Sequence, residues 1–350
     1  MHAMKRKSTE INDAEFCKVA KQAEEYVDRI SELPPKALKN LARMLKAGDG
    51  DIKELIQVSK VFNETCLPRL TLRLDFDRII KEGVYPVVAR AYDEIKITGV
   101  DIDENELNLQ EVLKSSRGSA RKLHIGEDIQ GCNGIMSQRA LVTILRALPN
   151  VDDLVIQGMS IMKPLTRFSE IEFWDLPILS SLKKVYVHNC TGEVFSNFQR
   201  SQNLEELCVY VEKEANDNKE RYELPIFVYK QQQLKSLRTN SAYALFGLEY
   251  AALPCLTTFV GPEIMHGVTK DSPANIFNIA PQLERFRNIS AADNFSKDSL
   301  LMNNKSDHLT AIKTVAEVDN YFDIKQVREN FPSLGLFKSK NLVWRKPNIN

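Results

Sequence analysis

The sequence predicts an α/β architecture of stacked strand–helix units, a solenoid, preceded by a small all-α module. Three observations predict it. A short apolar phrase recurs along most of the chain. Proline stands two places before four of its copies. Residues 31–66 have a different, purely helical texture.

The phrase is apolar, two residues, apolar, one residue, and often a second apolar. Its clearest copy is Leu182, Val185, Val187, followed by His188, Asn189 and Cys190. Other copies begin at Val151, Leu204, Leu234, Leu256, Leu283, Leu309 and Leu334, with weaker ones at Tyr92 and Ala120. These first positions lie 22 to 31 residues apart, about 27 on average. Pattern and period match the leucine-rich repeat, whose units span ~20–29 residues. One strand–helix unit cannot bury its own apolar face, so neighbours must stack and share a core. Several copies have lost the third apolar residue: Thr239, Gly261 and Asn288 stand there.

Pro149, Pro254, Pro281 and Pro332 precede their copies. Proline lacks an N–H and biases the residue before it away from helix, so each ends a helix as the next strand begins. Leu141, Ile144, Leu145 and Leu148, and likewise Ile324, Val327 and Phe331, have helical spacing. Leu70, Leu72, Leu74 and Phe76 alternate with polar residues and predict a capping strand. Residues 341–350, with Val343 and Trp344, are expected to close the other end. The charged stretch 212–223 reads as a solvated loop.

The boundaries follow: a tail and amphipathic helix over 1–30, the helical module over 31–68, the solenoid with end caps over 69–350. Phe16, Val19, Ala20, Ala23, Val27 and Ile30 carry the first helix. In the module, Leu33-Pro34-Pro35 opens a helix, since proline is tolerated in the first turn. Leu38, Leu41 and Leu45 continue it, and Gly48-Asp49-Gly50 breaks it. Asp51-Ile52, Leu55 and the run Val58-Ser59-Lys60-Val61-Phe62-Asn63 follow.

These roughly 35 residues resemble the F-box family, and followed by the repeats they look like an F-box leucine-rich-repeat protein. Lys36 departs from the acidic residue usual in that family, and Ala37 from a larger apolar one. The resemblance implies that the module docks on the Skp adaptor of a cullin-RING ubiquitin ligase while the repeats hold a protein substrate. The docking residues it implies are Leu33, Pro34, Pro35, Leu38, Leu41, Ile52, Val58, Lys60 and Phe62. A repeat scaffold or inhibitor with no ubiquitin role is the alternative.

The remaining features predict a non-catalytic protein without cofactor or metal. No H-E-x-x-H, G-x-S-x-G, phosphate-binding loop or G-x-G-x-x-G occurs. The five histidines lack metal-ligand spacing, and the six cysteines form no C-x-x-C pair. Lys+Arg and Asp+Glu balance at 47 each, so neither nucleic acid nor membrane is the expected partner. The first 16 residues are polar and no apolar run reaches the ~20 residues that span a bilayer. A cytoplasmic protein is expected, with the nucleus left open; the Lys5-Arg6-Lys7 cluster is too short to claim nuclear import and reads as a solvated tail.

Strand alternation assigns a binding face. If the apolar places of each phrase point inward, the third, fifth and seventh point out. Those places carry nine cations and three anions, and none is acidic from Arg238 onward. Lys184, Tyr186, His188, Tyr210, Arg238, Arg285, Arg287, Lys313 and Lys338 are the expected substrate-binding residues. Their chemistry suits an acidic or phosphorylated protein segment.

Overall fold

In the computed structural model the chain forms two compact units, residues 1–70 and 71–350. The structure describes Ala37, which is helical and half-buried, in the first. In the second it describes residues 71–82, 92–99, 101–102, 106–127, 134–162, 176–192, 194–210, 220–241, 244–245, 253–262, 275–289, 301, 304–318 and 322–347. The amphipathic helix expected over 13–30 lies outside the described residues. So do Leu33, Pro34, Pro35, Leu38, Leu41, Ile52, Val58, Lys60 and Phe62.

The second unit is mixed α/β and built on a 12-stranded sheet. Its strands, in spatial order, are β1 (Thr71–Asp75), β2 (Glu94–Thr98), β4 (Lys122–Gly126), β6 (Asp153–Gln157), β8 (Lys184–His188) and β10 (Glu206–Tyr210). They continue with β11 (Ser236–Thr239), β12 (Thr258–Gly261), β13 (Arg285–Asn288), β14 (Ala311–Thr314), β15 (Leu336–Lys338) and β16 (Val343–Arg345). Every pairing is parallel except β15 with β16. A second, four-stranded parallel sheet contains β3 (Asp101–Ile102), β5 (Gly134–Ser137), β7 (Met159–Met162) and β9 (Thr191–Gly192).

Each apolar phrase supplies one strand of the large sheet, and each strand begins at the third place of its phrase. The register aligns third place with third place, from Glu94 beside Lys122 to Ala311 beside Leu336. A repeated backbone contact fixes it. The carbonyl at the second place accepts the N–H groups of the second and third places of the next phrase. This happens at nine successive junctions, from Asp93 to Thr310, at 2.8 to 3.2 Å. Two N–H groups at the start of each of these strands are thereby satisfied.

Three of the four prolines work as the sequence predicts; the helix expected before Pro254 lies outside the described residues. α3 (Gln138–Ala147), α5 (Ile276–Ile279) and α6 (Ile324–Asn330) each end on a residue that precedes proline: Leu148, Ala280 and Phe331. Those residues sit near φ −122 to −130° and ψ 62 to 77°, outside the helical region that proline disfavours for its predecessor. Their carbonyls then accept the N–H of Val151, Leu283 and Leu334, the first residues of the next phrases, at 3.0 to 3.3 Å. Ser137 and Asp323 cap the N-termini of α3 and α6 by accepting from Ala140 and Lys325.

The helices α1 (Phe76–Glu82), α2 (Glu106–Lys114) and α4 (Glu220–Tyr229) complete the described set, with a 3-10 turn over Phe195–Phe198. α4 corrects the solvated-loop reading for residues 220–223, its first turn, while 212–219 lie outside the described residues. It tolerates Pro225 because Leu224, Phe227 and Val228 are buried, which outweighs one lost backbone bond. The ends are closed as expected. Leu72, Leu74 and Phe76 are buried and β1 pairs β2, while β16 folds back on β15 with Trp344 beside Phe337.

The core is one contiguous apolar cluster running the length of the unit. The fourth and sixth places of the phrases are inside: Ile95 with Ile97, Leu123 with Ile125, Leu154 with Ile156, Val185 with Val187, Leu207 with Val209. Thr239, Gly261 and Asn288, the places read as lost apolar positions, are also buried.

Candidate binding face

The third, fifth and seventh places form the outward surface of the large sheet, and the described side chains there are half-buried or exposed, with one exception. Gly126, expected to face outward, is buried at a backbone φ of 87°. A Cβ there would lie 1.9 Å from the Gln157 carbonyl oxygen. Only glycine fits that turn.

The face has two electrostatic regions. On β4 to β10 the charges neutralise each other across strands: Lys122 lies 3.9 Å from Asp153, and Lys184 lies 2.8 Å from Glu206. The Glu206 hydrogen bond and charge raise the Lys184 pKa. Thr71 donates to Glu94 at 3.0 Å. His124 pairs with Gln157 at 2.8 Å, and burial holds the imidazole below its ordinary pKa.

Tyr186, His188 and Tyr210 come together as expected, with ring centroids 6.2 to 6.5 Å apart. Parallel register explains this, since β8 and β10 set Tyr210 beside His188 and Cys208 beside Tyr186. Burial pushes the Cys208 thiol up to about 11, so it stays a neutral, unreactive group in the centre of the face.

From β11 onward the face is basic. Arg238, Arg285, Arg287, Lys313 and Lys338 are exposed and form no ion pair among the described residues. Register sets Arg287 beside Lys313 and Lys313 beside Lys338. Lys340 does not join them as a free charge, because Glu317 holds it at 2.8 Å. In its stead comes Arg345, which sequence reasoning missed. The antiparallel return of β16 sets it beside Leu336, on the outward face. The signal was the alternation Leu342, Val343, Trp344, Arg345, legible only once the direction of the last strand is known.

Chemically this surface offers rings and N–H donors. Among the described residues no group of three His, Cys, Asp or Glu side chains could hold a metal ion, and no helix is long and apolar enough to cross a membrane. Neither a protein-family model nor a curated protein matches the sequence.

Proposed function

We propose that the protein is a substrate-recognition subunit of a cullin-RING ubiquitin ligase. Residues 31–68 are an F-box-like module that docks on a Skp-type adaptor, and the second unit is a degenerate leucine-rich-repeat solenoid. Its outward sheet face takes a protein substrate with an acidic or phosphorylated segment. The protein itself breaks no bond; it contributes proximity between substrate and ligase.

One observation carries the reading: each copy of the phrase yields one strand, always from its third place, in a single in-register ladder. A regular array of that kind next to a Leu33-Pro34 … Val58-to-Asn63 stretch matches the two-part plan of the F-box repeat proteins.

The test is a pull-down of the full chain with recombinant Skp adaptor, beside a chain starting at Thr71. The full chain should bind and the truncated one should not. Apolar anchors at an interface centre are worth ~2 kcal/mol or more, so replacing Leu33 and Pro34 with Ala should weaken binding at least ~10-fold. Undiminished binding by the truncated chain or by the folded double variant would sink the ligase reading and leave a repeat scaffold.

A further inference from the structure

The rings and the cations lie on common rows of one sheet. The fifth-place row runs from Tyr186 through Cys208, Arg238 and Val260 to Arg287 and Lys313. The seventh place adds His188 and Tyr210, and the third adds Arg285. No outward place between Tyr210 and Lys313 is acidic.

Two points on this surface have opposite character. At one end, three rings stand mutually tilted and half-buried, on the strands whose Lys184 and Glu206 neutralise each other. At the other, Arg285 and Arg287 project from one strand beside Lys313 on the next. Three cations without an ion pair among the described residues exceed what one carboxylate can satisfy. A phosphate monoester, with nearly two charges and three acceptor oxygens, matches them better. Both points lie on the outward face of one continuous ladder of strands.

Their separation is set by the sheet. Tyr210 is on β10 and Arg287 on β13, three strand spacings apart, or about 14 Å at ~4.8 Å each. An extended chain advances ~3.3 Å per residue, so about four residues bridge them.

We infer that this face reads one extended peptide at two points. A phosphorylated residue is held by Arg285, Arg287 and Lys313. An apolar or aromatic side chain, about four residues away and so on the same side of the extended peptide, seats among Tyr186, His188 and Tyr210. The inference rests on the proposal that this is the substrate face, and is independent of adaptor docking.

The probe is a set of fluorescein-labelled 12-residue Ser/Gly peptides. Each carries one phosphoserine and one leucine, in either order, separated by one to eight residues. Unphosphorylated twins and a 12-nucleotide oligothymidylate complete the set. Binding to the full chain is read by anisotropy. Affinity should peak when the leucine lies about four residues from the phosphoserine, at least ~10-fold above the shortest separation. Arg285→Glu with Arg287→Glu and Lys313→Glu, and separately Tyr186→Ala with Tyr210→Ala, should remove the peak. Lys96→Glu, on the neutral region, should not. A flat dependence on separation, equal binding of the twins, or tighter binding of oligothymidylate would overturn the inference. Adaptor pull-down of the same proteins keeps the two ideas apart. A flat curve with intact adaptor binding refutes two-point reading alone, and a peaked curve without adaptor binding refutes the ligase reading alone.

Discussion

The front strands of the large sheet, β2 to β10, and the rear strands, β11 to β15, fill the same space between sheet and helices in different ways. In front, each phrase buries two aliphatic residues of similar size, such as Leu123 with Ile125 or Leu154 with Ile156. In the rear, the sixth place shrinks to Thr239, Gly261, Asn288, Thr314 and Ser339, all buried. In three of the five the fourth place grows in compensation, to Phe259, Phe286 and Phe337, while Leu237 and Ile312 keep the front size. Gly261 shows the trade directly: a Cβ there would sit 2.4 Å from the Phe259 ring. Close packing demands constant volume per layer and does not dictate which place supplies it.

The small polar residues also change how the chain leaves each strand. Thr239 and Thr314 accept from the backbone N–H two residues on, both at 3.0 Å, and Ser339 accepts from Leu342 at 2.8 Å. In front, the exit is made by backbone in the left-handed region, at Gly99, Gly126, Gly158 and Asn189. There the chain turns from the large sheet into the second one. The lesson is that a phrase without its third apolar residue can still close its layer: Thr239, Thr314 and Ser339 do so with a hydroxyl in the rear, where the front uses positive φ.

Four tests break or sharpen this contrast. The largest effect is expected from Gly126→Val, which adds a Cβ against the Gln157 carbonyl at positive φ. It should cost at least about 4 kcal/mol, or prevent folding, in urea unfolding. Gly118→Ala, with nothing within 4 Å of its Cβ, is the control and should leave the midpoint nearly unchanged. A comparable midpoint for Gly126→Val would show that the front exits are not glycine-dependent.

Next is Phe286→Ala in the rear. Phe286 stacks on Phe259 at 6.0 Å and meets Phe277 at 5.8 Å, so a loss of about 3–4 kcal/mol is expected. If the single ring carries the layer, Phe286→Leu should recover roughly half of it. No recovery would mean that ring stacking, not volume, is the requirement.

A third pair exchanges the two exits. Thr314→Val leaves the Ala316 N–H without its acceptor and should cost about 1–2 kcal/mol, although it adds apolar surface. Val187→Thr places a hydroxyl in the aliphatic front core and should cost a similar amount. If both were neutral, the distinction between front and rear would be one of sequence only.

The smallest effect concerns pH. Burial lowers the His124 pKa from its ordinary value of 6.5. Its surroundings include Gln157, Lys96, Glu94 and Glu127. Because the unfolded chain takes up the proton first, stability should be full above the ordinary value and fall as pH drops through the folded-state pKa. His124→Gln should flatten thermal unfolding between pH 7 and 5. An unchanged pH slope would remove His124 as its cause.

The sequence by itself determined the repeat phase, the strand positions and the inward and outward faces. Those follow from local rules: alternation in a strand, helical spacing, and the restriction proline places on its predecessor. It determined the Tyr186, His188 and Tyr210 cluster for the same reason, since equal places in successive phrases become neighbours in a parallel ladder. Tertiary structure decided what depends on partners distant in the chain. Charge pairing across strands withdrew Lys122, Lys184 and Lys340 from the basic face. The reversal of β16 added Arg345. Packing of Leu224, Phe227 and Val228 carried α4 through Pro225 against its local preference. In each case the deciding energy comes from a residue on another element, and no pattern within one phrase encodes which residue that will be.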